Sequence, residues 1–228
     1  VPEERMLVIN YSRMPGTLDF PTPDSPSILR RESGAVLWKR WRMLRDSELY
    51  NLETDPLQKK NVIDAHPKVT AKMRAHLNNW WDSVGETANE PQRVIIGHDA
   101  ANPMMLTACE WLDVFIDQQR QIRRGDQKNG YWELDVAKAG RYEFELRRWP
   151  REANIPLSAA YNGQGALPIT QARLFINREL ATKPVKLNDK AAKFTVTLPS
   201  GPVRLHTWFA EGRSNPICGA YYVYVKRI

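Results

Sequence analysis

Trp132-Glu133-Leu134-Asp135-Val136, the turn from Lys138 to Gly140, and Tyr142-Glu143-Phe144-Glu145-Leu146 decide the fold of the longer part of this chain. Apolar and polar residues alternate in both runs. That period of two belongs to strands with one face on a core and the other toward water. The same alternation returns in Ala172 to Ile176, Phe194 to Leu198, Val203 to Phe209 and Gly219 to Val225, with turns between them such as Pro199-Ser200-Gly201-Pro202. Many short alternating strands divided by Gly and Pro turns predict a β-sandwich or jelly roll. Residues 110–124 break the pattern and read as a short helical or irregular crossing.

Upstream the character is different. Residues 5–10 read as a strand, and residues 14–33, rich in Pro, Ser, Thr and Asp, read as a long loop of the kind that tends to carry function. Ala35 to Leu44 reads as one second strand, Asp46-Ser47 as its turn and Glu48 to Leu52 as a third strand that Asp55-Pro56 ends. Pro67 suits the first position of a helix, where its missing N–H costs nothing. Val69, Met73, Leu77, Trp80, Trp81 and Val84 then make one apolar stripe. A strand pair and one helix bury little, so this section is expected to complete a larger sheet. With 85–92 read as a linker, the prediction is an α+β subdomain over 1–88, a small antiparallel sheet with one helix, followed by an all-β sandwich or jelly-roll domain over 89–228.

The chain has 228 residues, a length that suits two domains. Its 33 Lys and Arg against 26 Asp and Glu give a net charge of +7. The positive residues are spread out, densest at Arg30-Arg31, Lys39 to Arg45 and Arg147-Arg148, with no basic arm or nucleic-acid motif. They read as a solvated surface, and nucleic acid is not expected as a partner. No run approaches the ~18 apolar residues that a membrane span needs. The opening Val1-Pro2-Glu3-Glu4 passes straight into Met6-Leu7-Val8-Ile9 and reads as the middle of a longer protein. Two cysteines, Cys109 and Cys218, cannot form a zinc site by themselves; a disulfide and two thiols both stay open.

Trp38-Lys39-Arg40-Trp41-Arg42-Met43-Leu44, Glu48-Leu49-Tyr50-Asn51-Leu52-Glu53-Thr54-Asp55-Pro56, Asn61-Val62, His66-Pro67 and the Trp80-Trp81 helix together resemble the end of a sulfatase domain. Gly130-Tyr131-Trp132, Ala139-Gly140-Arg141-Tyr142, Leu146-Arg147-Arg148-Trp149-Pro150 and Gly219 to Val225 resemble the extra C-terminal β-domain of some bacterial arylsulfatases. The resemblance implies a parent enzyme of the alkaline-phosphatase-like superfamily, a sulfuric ester hydrolase using calcium and formylglycine, periplasmic or secreted. Its Cys/Ser-x-Pro/Ala-x-Arg nucleophile motif is missing here: Glu-Trp-Leu-Asp follows Cys109, and Gly-Ala-Tyr-Tyr follows Cys218. The chain is therefore expected to support a missing N-terminal catalytic domain and its cleft, with no catalytic residue, metal ligand or cofactor of its own. The alternatives are a module that binds sulfated carbohydrate and a purely structural or oligomerisation domain.

Individual residues follow from these readings. Arg13, Arg30 and Arg31, in or beside the long loop, and Lys39, beside Trp38, are candidates for contact with an anionic substrate, since guanidinium suits bidentate binding of sulfate. Their plain alternative is scattered surface charge. Arg147, Arg148 and Trp149 are the candidate glycan contacts, because strand parity puts Trp149 on the face opposite Tyr142, Phe144 and Leu146. Trp132 and Tyr161 are weighed as stacking rings too, against the ordinary role of sandwich aromatics as core. Trp80 and Trp81, a helical step apart, read as core and interface anchors. His98 and His206 stand isolated in sequence and read as plain polar residues.

Overall fold

The computed structural model describes residues 5–10, 28–111, 114, 116 and 118–228. Two compact units divide the chain between Glu90 and Pro91. In the first, β1 (Met6–Ile9), β2 (Ala35–Trp38), β3 (Trp41–Leu44) and β4 (Glu48–Asn51) form an antiparallel sheet in that order. The run from Ala35 to Leu44 is thus two strands, not one. Trp38 pairs with Trp41 across a two-residue turn, in which Lys39 takes a φ of 53°. Such a turn ordinarily advertises itself by Gly or Asn; Lys39-Arg40 hides it.

Helix α1 (Pro67–Val84) starts at the proline, as its sequence predicts, and Met73 and Leu77 on its apolar stripe are fully buried. They share a core with Val36, Trp41, Met43 and Leu49 from the sheet. Each such side chain withdrawn from water contributes about 1.5–3 kcal/mol, so this unit builds a core of its own. Asn61 secures its edge: the side-chain oxygen accepts from the Leu49 and Ile63 amides at 3.0 and 3.1 Å, and its amide donates to the Ser47 carbonyl at 3.1 Å.

The second unit is the β-sandwich that alternation predicts. Its elements are β5 (Val94–Ile96), β6 (Met104–Thr107), α2 (Gln119–Arg124), β7 (Tyr131–Val136), β8 (Gly140–Arg147), β9 (Gln171–Ile176), β10 (Glu179–Pro184), β11 (Ala192–Leu198), β12 (Gly201–Glu211), β13 (Asn215–Cys218) and β14 (Tyr222–Arg227). One sheet runs β10-β9-β12-β7-β5, with β13 also on β12; the other runs β11-β8-β14-β6. Trp132, Leu134 and Val136 from β7, Leu174 and Ile176 from β9, and Leu205 and Phe209 from β12 line the inner face of the first sheet. Tyr142, Phe144 and Leu146 from β8 and Val223 and Val225 from β14 line the second. All are buried in one continuous core. The crossing left open over 110–124 holds α2, a short helix closed by Gly125 at a φ of 86°. The fold is therefore mostly β, a small antiparallel sheet with a helix and then a sandwich. Among the described residues no helix is long and apolar enough to cross a membrane.

Candidate functional site

Strand β12 positions the site. Leu205, Thr207 and Phe209 point into the core, so the pleat turns Arg204, His206 and Trp208 outward. One side of β12 is covered throughout Leu205–Ala210 by β9. On the other side β7 pairs from Gly201 to His206, β13 from Phe209 onward, and neither pairs at Thr207 or Trp208. Gly219-Ala220 bridges this interval to the loop 127–130: the Gly219 amide donates to the Lys128 carbonyl at 2.9 Å, and the Ala220 amide to the Thr207 hydroxyl at 3.0 Å. A pocket of about 360 Å³ opens over the interval, and Tyr131, His206 and Trp208 are among the residues that line it.

These three rings are half-buried and mutually supported. His206 lies 3.9 Å from Trp208 between ring centroids, and its ring meets Tyr131 edge-on at 6.2 Å. Tyr131 and His206 are directly opposite in the β7–β12 ladder. Arg204 holds its guanidinium 4.2 Å over the Tyr131 ring while pairing with Glu133. Burial, and secondarily Arg204, push the His206 imidazole down to about 4. The ring is accordingly neutral at pH 7, one nitrogen donating and the other accepting. The pocket wall thus combines flat apolar ring faces with a two-way hydrogen-bonding group, which suits a small amphipathic ring more than a bare ion.

Below the wall the packing leaves no slack. Trp111 is buried against Trp132 and Tyr221, with ring centroids at 5.3 and 5.8 Å. A Cβ on Gly219 would stand 2.6 Å from Asn129 Oδ1 and 2.7 Å from the Trp111 ring. Gly219→Ala is therefore expected to cost about 1–3 kcal/mol through overpacking and to displace the loop 127–130. A urea titration measures the first effect, and the environment of Trp208 in near-UV circular dichroism reports the second. Wild-type stability in the variant would show that Trp111 gives way freely.

The residues singled out by sequence lie elsewhere. Arg148 is fully buried and Trp149 is 2% exposed, so neither meets a ligand at the surface. The parity argument failed because β8 ends at Arg147 and the backbone bends at Arg148 and Trp149. Arg148 instead donates to the carbonyls of Ala159 at 3.2 Å, Leu157 and Ile122 at 3.4 Å, and Gly165. Arg147 is tied to Glu145 at 2.5 Å. Trp132 is core, and half-buried Tyr161 faces Trp149 at 5.7 Å. In the first unit Arg31 pairs with Asp46 at 2.9 Å and with Asn78 at 2.6 Å, so its fork is occupied within the fold. Arg30 accepts a hydrogen bond from Asn10 at its carbonyl, and Lys39 sits over Trp38 in the hairpin turn. Arg13 lies outside the described residues. Cys109 and Cys218 are not joined in a disulfide; burial pushes the Cys218 thiol up to about 11. Among the described residues no three His, Cys, Asp or Glu side chains gather as they would around a metal ion.

Fold and site together define a two-sheet β-sandwich with an aromatic pocket on the outer face of one sheet. No family model matches the sequence, and no curated protein does. Several solved structures are similar to the chain. A native family 35 carbohydrate binding module from Clostridium thermocellum is 13% identical over 56% of this chain and 100% of its own, with a TM-score of 0.34. A CBM35 from Cellvibrio japonicus Abf62 is 14% identical over 45% of this chain and 68% of its own, with a TM-score of 0.30. A Xyl-CBM35 in complex with a glucuronic acid containing disaccharide is 16% identical over 53% and 91%, with a TM-score of 0.33. These findings correct the expectation of a sulfatase. The three structures named are carbohydrate-binding modules, no family model or curated relative supports a sulfatase, and the reading of the chain as the C-terminal region of a sulfuric ester hydrolase is withdrawn. The calcium and formylglycine of a parent enzyme were expected only through that resemblance.

Proposed function

We propose that the sandwich unit is a carbohydrate-binding module that seats a sugar ring on Tyr131, His206 and Trp208. One observation carries this reading: three coupled, half-exposed rings wall a pocket of about 360 Å³ on the outer face of a sheet. A pyranose has an apolar face of C–H groups and a rim of hydroxyls. The ring faces of Trp208 and Tyr131 match the first, and the neutral imidazole of His206 matches the second. Pockets of this size suit a small ligand.

The test is affinity electrophoresis of the whole chain through gels containing hydroxyethyl cellulose, glucomannan, xylan, galactan or a sulfated galactan. At least one of them is expected to retard the protein. Trp208→Ala should weaken that retardation by about tenfold, the loss of a stacking contact worth about 1–1.5 kcal/mol, while Trp208→Phe retains most of it. Circular dichroism confirms that the variants remain folded. The reading fails if no gel retards the wild type, or if folded Trp208→Ala is retarded as strongly.

A further inference from the structure

Beyond the pocket the outer face of the sheet carries a second feature. The ladders put Tyr131 of β7, His206 of β12, Phe175 of β9 and Leu180 of β10 directly opposite one another in turn. The row crosses four adjacent strands, roughly 14 Å at the usual strand spacing. Phe175 is 39% exposed and Leu180 63%, so the apolar row continues past the pocket wall to the sheet's edge. A polar row runs beside it, where Trp208 faces Arg173 and Arg173 faces Thr182. Arg173 is held in place by Gln171 at 2.8 Å and by the carbonyls of Gly212 and Arg213. No carboxylate pairs with it among the described residues, and its Nη1 makes no hydrogen bond there.

We propose that the ligand is an extended chain of several sugars lying across the strands, with Phe175 and Leu180 as stacking positions for the units beyond the pocket. The inference rests on the carbohydrate reading above and names the form of the ligand. Successive strands repeat every 4.7–4.9 Å, a spacing comparable to the width of a pyranose. One sugar unit per strand therefore brings successive C–H faces over the apolar row and successive hydroxyls within reach of Arg173 and Thr182. A terminal monosaccharide would use the pocket alone and leave Phe175 and Leu180 bare. A protein partner fits less well: a row one side chain wide covers on the order of 100 Å², against about 800 Å² per partner in a stable interface.

Cello-, manno- and xylo-oligosaccharides of one to five units, titrated calorimetrically into the whole chain, separate the possibilities. In the series that binds, affinity is expected to climb by about tenfold from one to four units. Phe175→Ala should abolish most of that climb and leave the affinity for the shortest ligand unchanged, whereas Trp208→Ala should weaken every length. Phe175 is exposed, so its truncation leaves the core intact, and Phe175→Tyr should keep the climb. Equal affinity for one and four units, with Trp208→Ala still harmful, would overturn the chain inference and leave the pocket reading standing. No binding at any length would overturn the chain inference, and no retardation in any of the gels above would remove the pocket reading with it. A dimer in sedimentation that Phe175→Ala dissolves would give the row to a second copy and overturn the inference as well.

Discussion

Arg148→Ala is expected to destabilise the sandwich by about 3–5 kcal/mol, a large part of the ~5–15 kcal/mol that holds a domain folded. Arg148 has no exposed surface and, among the described residues, no carboxylate partner; its guanidinium lies 4.5 Å over the Trp149 ring. Burial pushes its guanidinium below its ordinary value, yet an arginine keeps its charge in a protein. What holds it is a set of backbone carbonyls, from Ile122 in α2 and from Leu157, Ala159 and Gly165 in the loop after β8. Truncation strands those acceptors in the core, at about 1–3 kcal/mol for each one that water does not reach. Arg148→Met separates bonding from desolvation, since it fills similar space without donors. If the bonds dominate, Met is nearly as damaging as Ala. If burying the cation costs as much as its bonds return, Met approaches wild type, and the carbonyl argument fails. Chemical denaturation followed by tryptophan fluorescence measures both variants. Because Ile122 leads through α2 into the pocket loop 127–130, the same substitutions should also lower sugar retention.

How much of this was legible in the sequence follows from what each signal depends on. Alternation found the core strands: Trp132, Leu134 and Val136, or Leu205, Thr207 and Phe209, face inward as their spacing predicts. It missed β10, whose residues are mostly exposed on both faces, as suits an edge strand ending in Pro184. It merged β2 with β3 because a Lys-Arg turn carries no turn residue. The pocket was half legible. Parity alone turns His206 and Trp208 outward, but Tyr131 joins them through a pairing 75 residues away in sequence, which one sequence does not reveal. His206 therefore read as a solitary polar residue. Trp149 drew the functional reading because parity was carried past the end of its strand, and the sulfatase resemblance rested on local motifs that any short hairpin and helix can share.

Glu145→Gln is the second large expected effect, about 2–3 kcal/mol at pH 7, and its pH dependence identifies the cause. Glu145 sits at an outward position of β8, yet it is only 4% exposed because cations roof it over. Arg147 approaches to 2.5 Å, Arg151 to 2.7 Å and Lys193 to 3.6 Å. Burial by itself would raise the carboxyl; hydrogen bonds from Arg151 and Arg147 outweigh it and bring the group down to about 2 from 4.5. A depressed acid stabilises the fold above its unfolded value and loses that contribution as the pH falls through the folded one. Two and a half units at 1.36 kcal/mol each set an upper bound of about 3 kcal/mol, reduced because Arg151 and Lys193 are about half exposed and screened by solvent. Wild type should therefore exceed Glu145→Gln by a constant margin above about pH 5, and the two should converge between pH 4.5 and 2. Glutamine keeps the shape and removes the charge, so a margin that persisted unchanged at pH 2 would assign the effect to packing. Salt gives an independent check: 1 M NaCl should erode the part owed to Arg151 and Lys193 and spare the part owed to Arg147, whose side chain is 13% exposed.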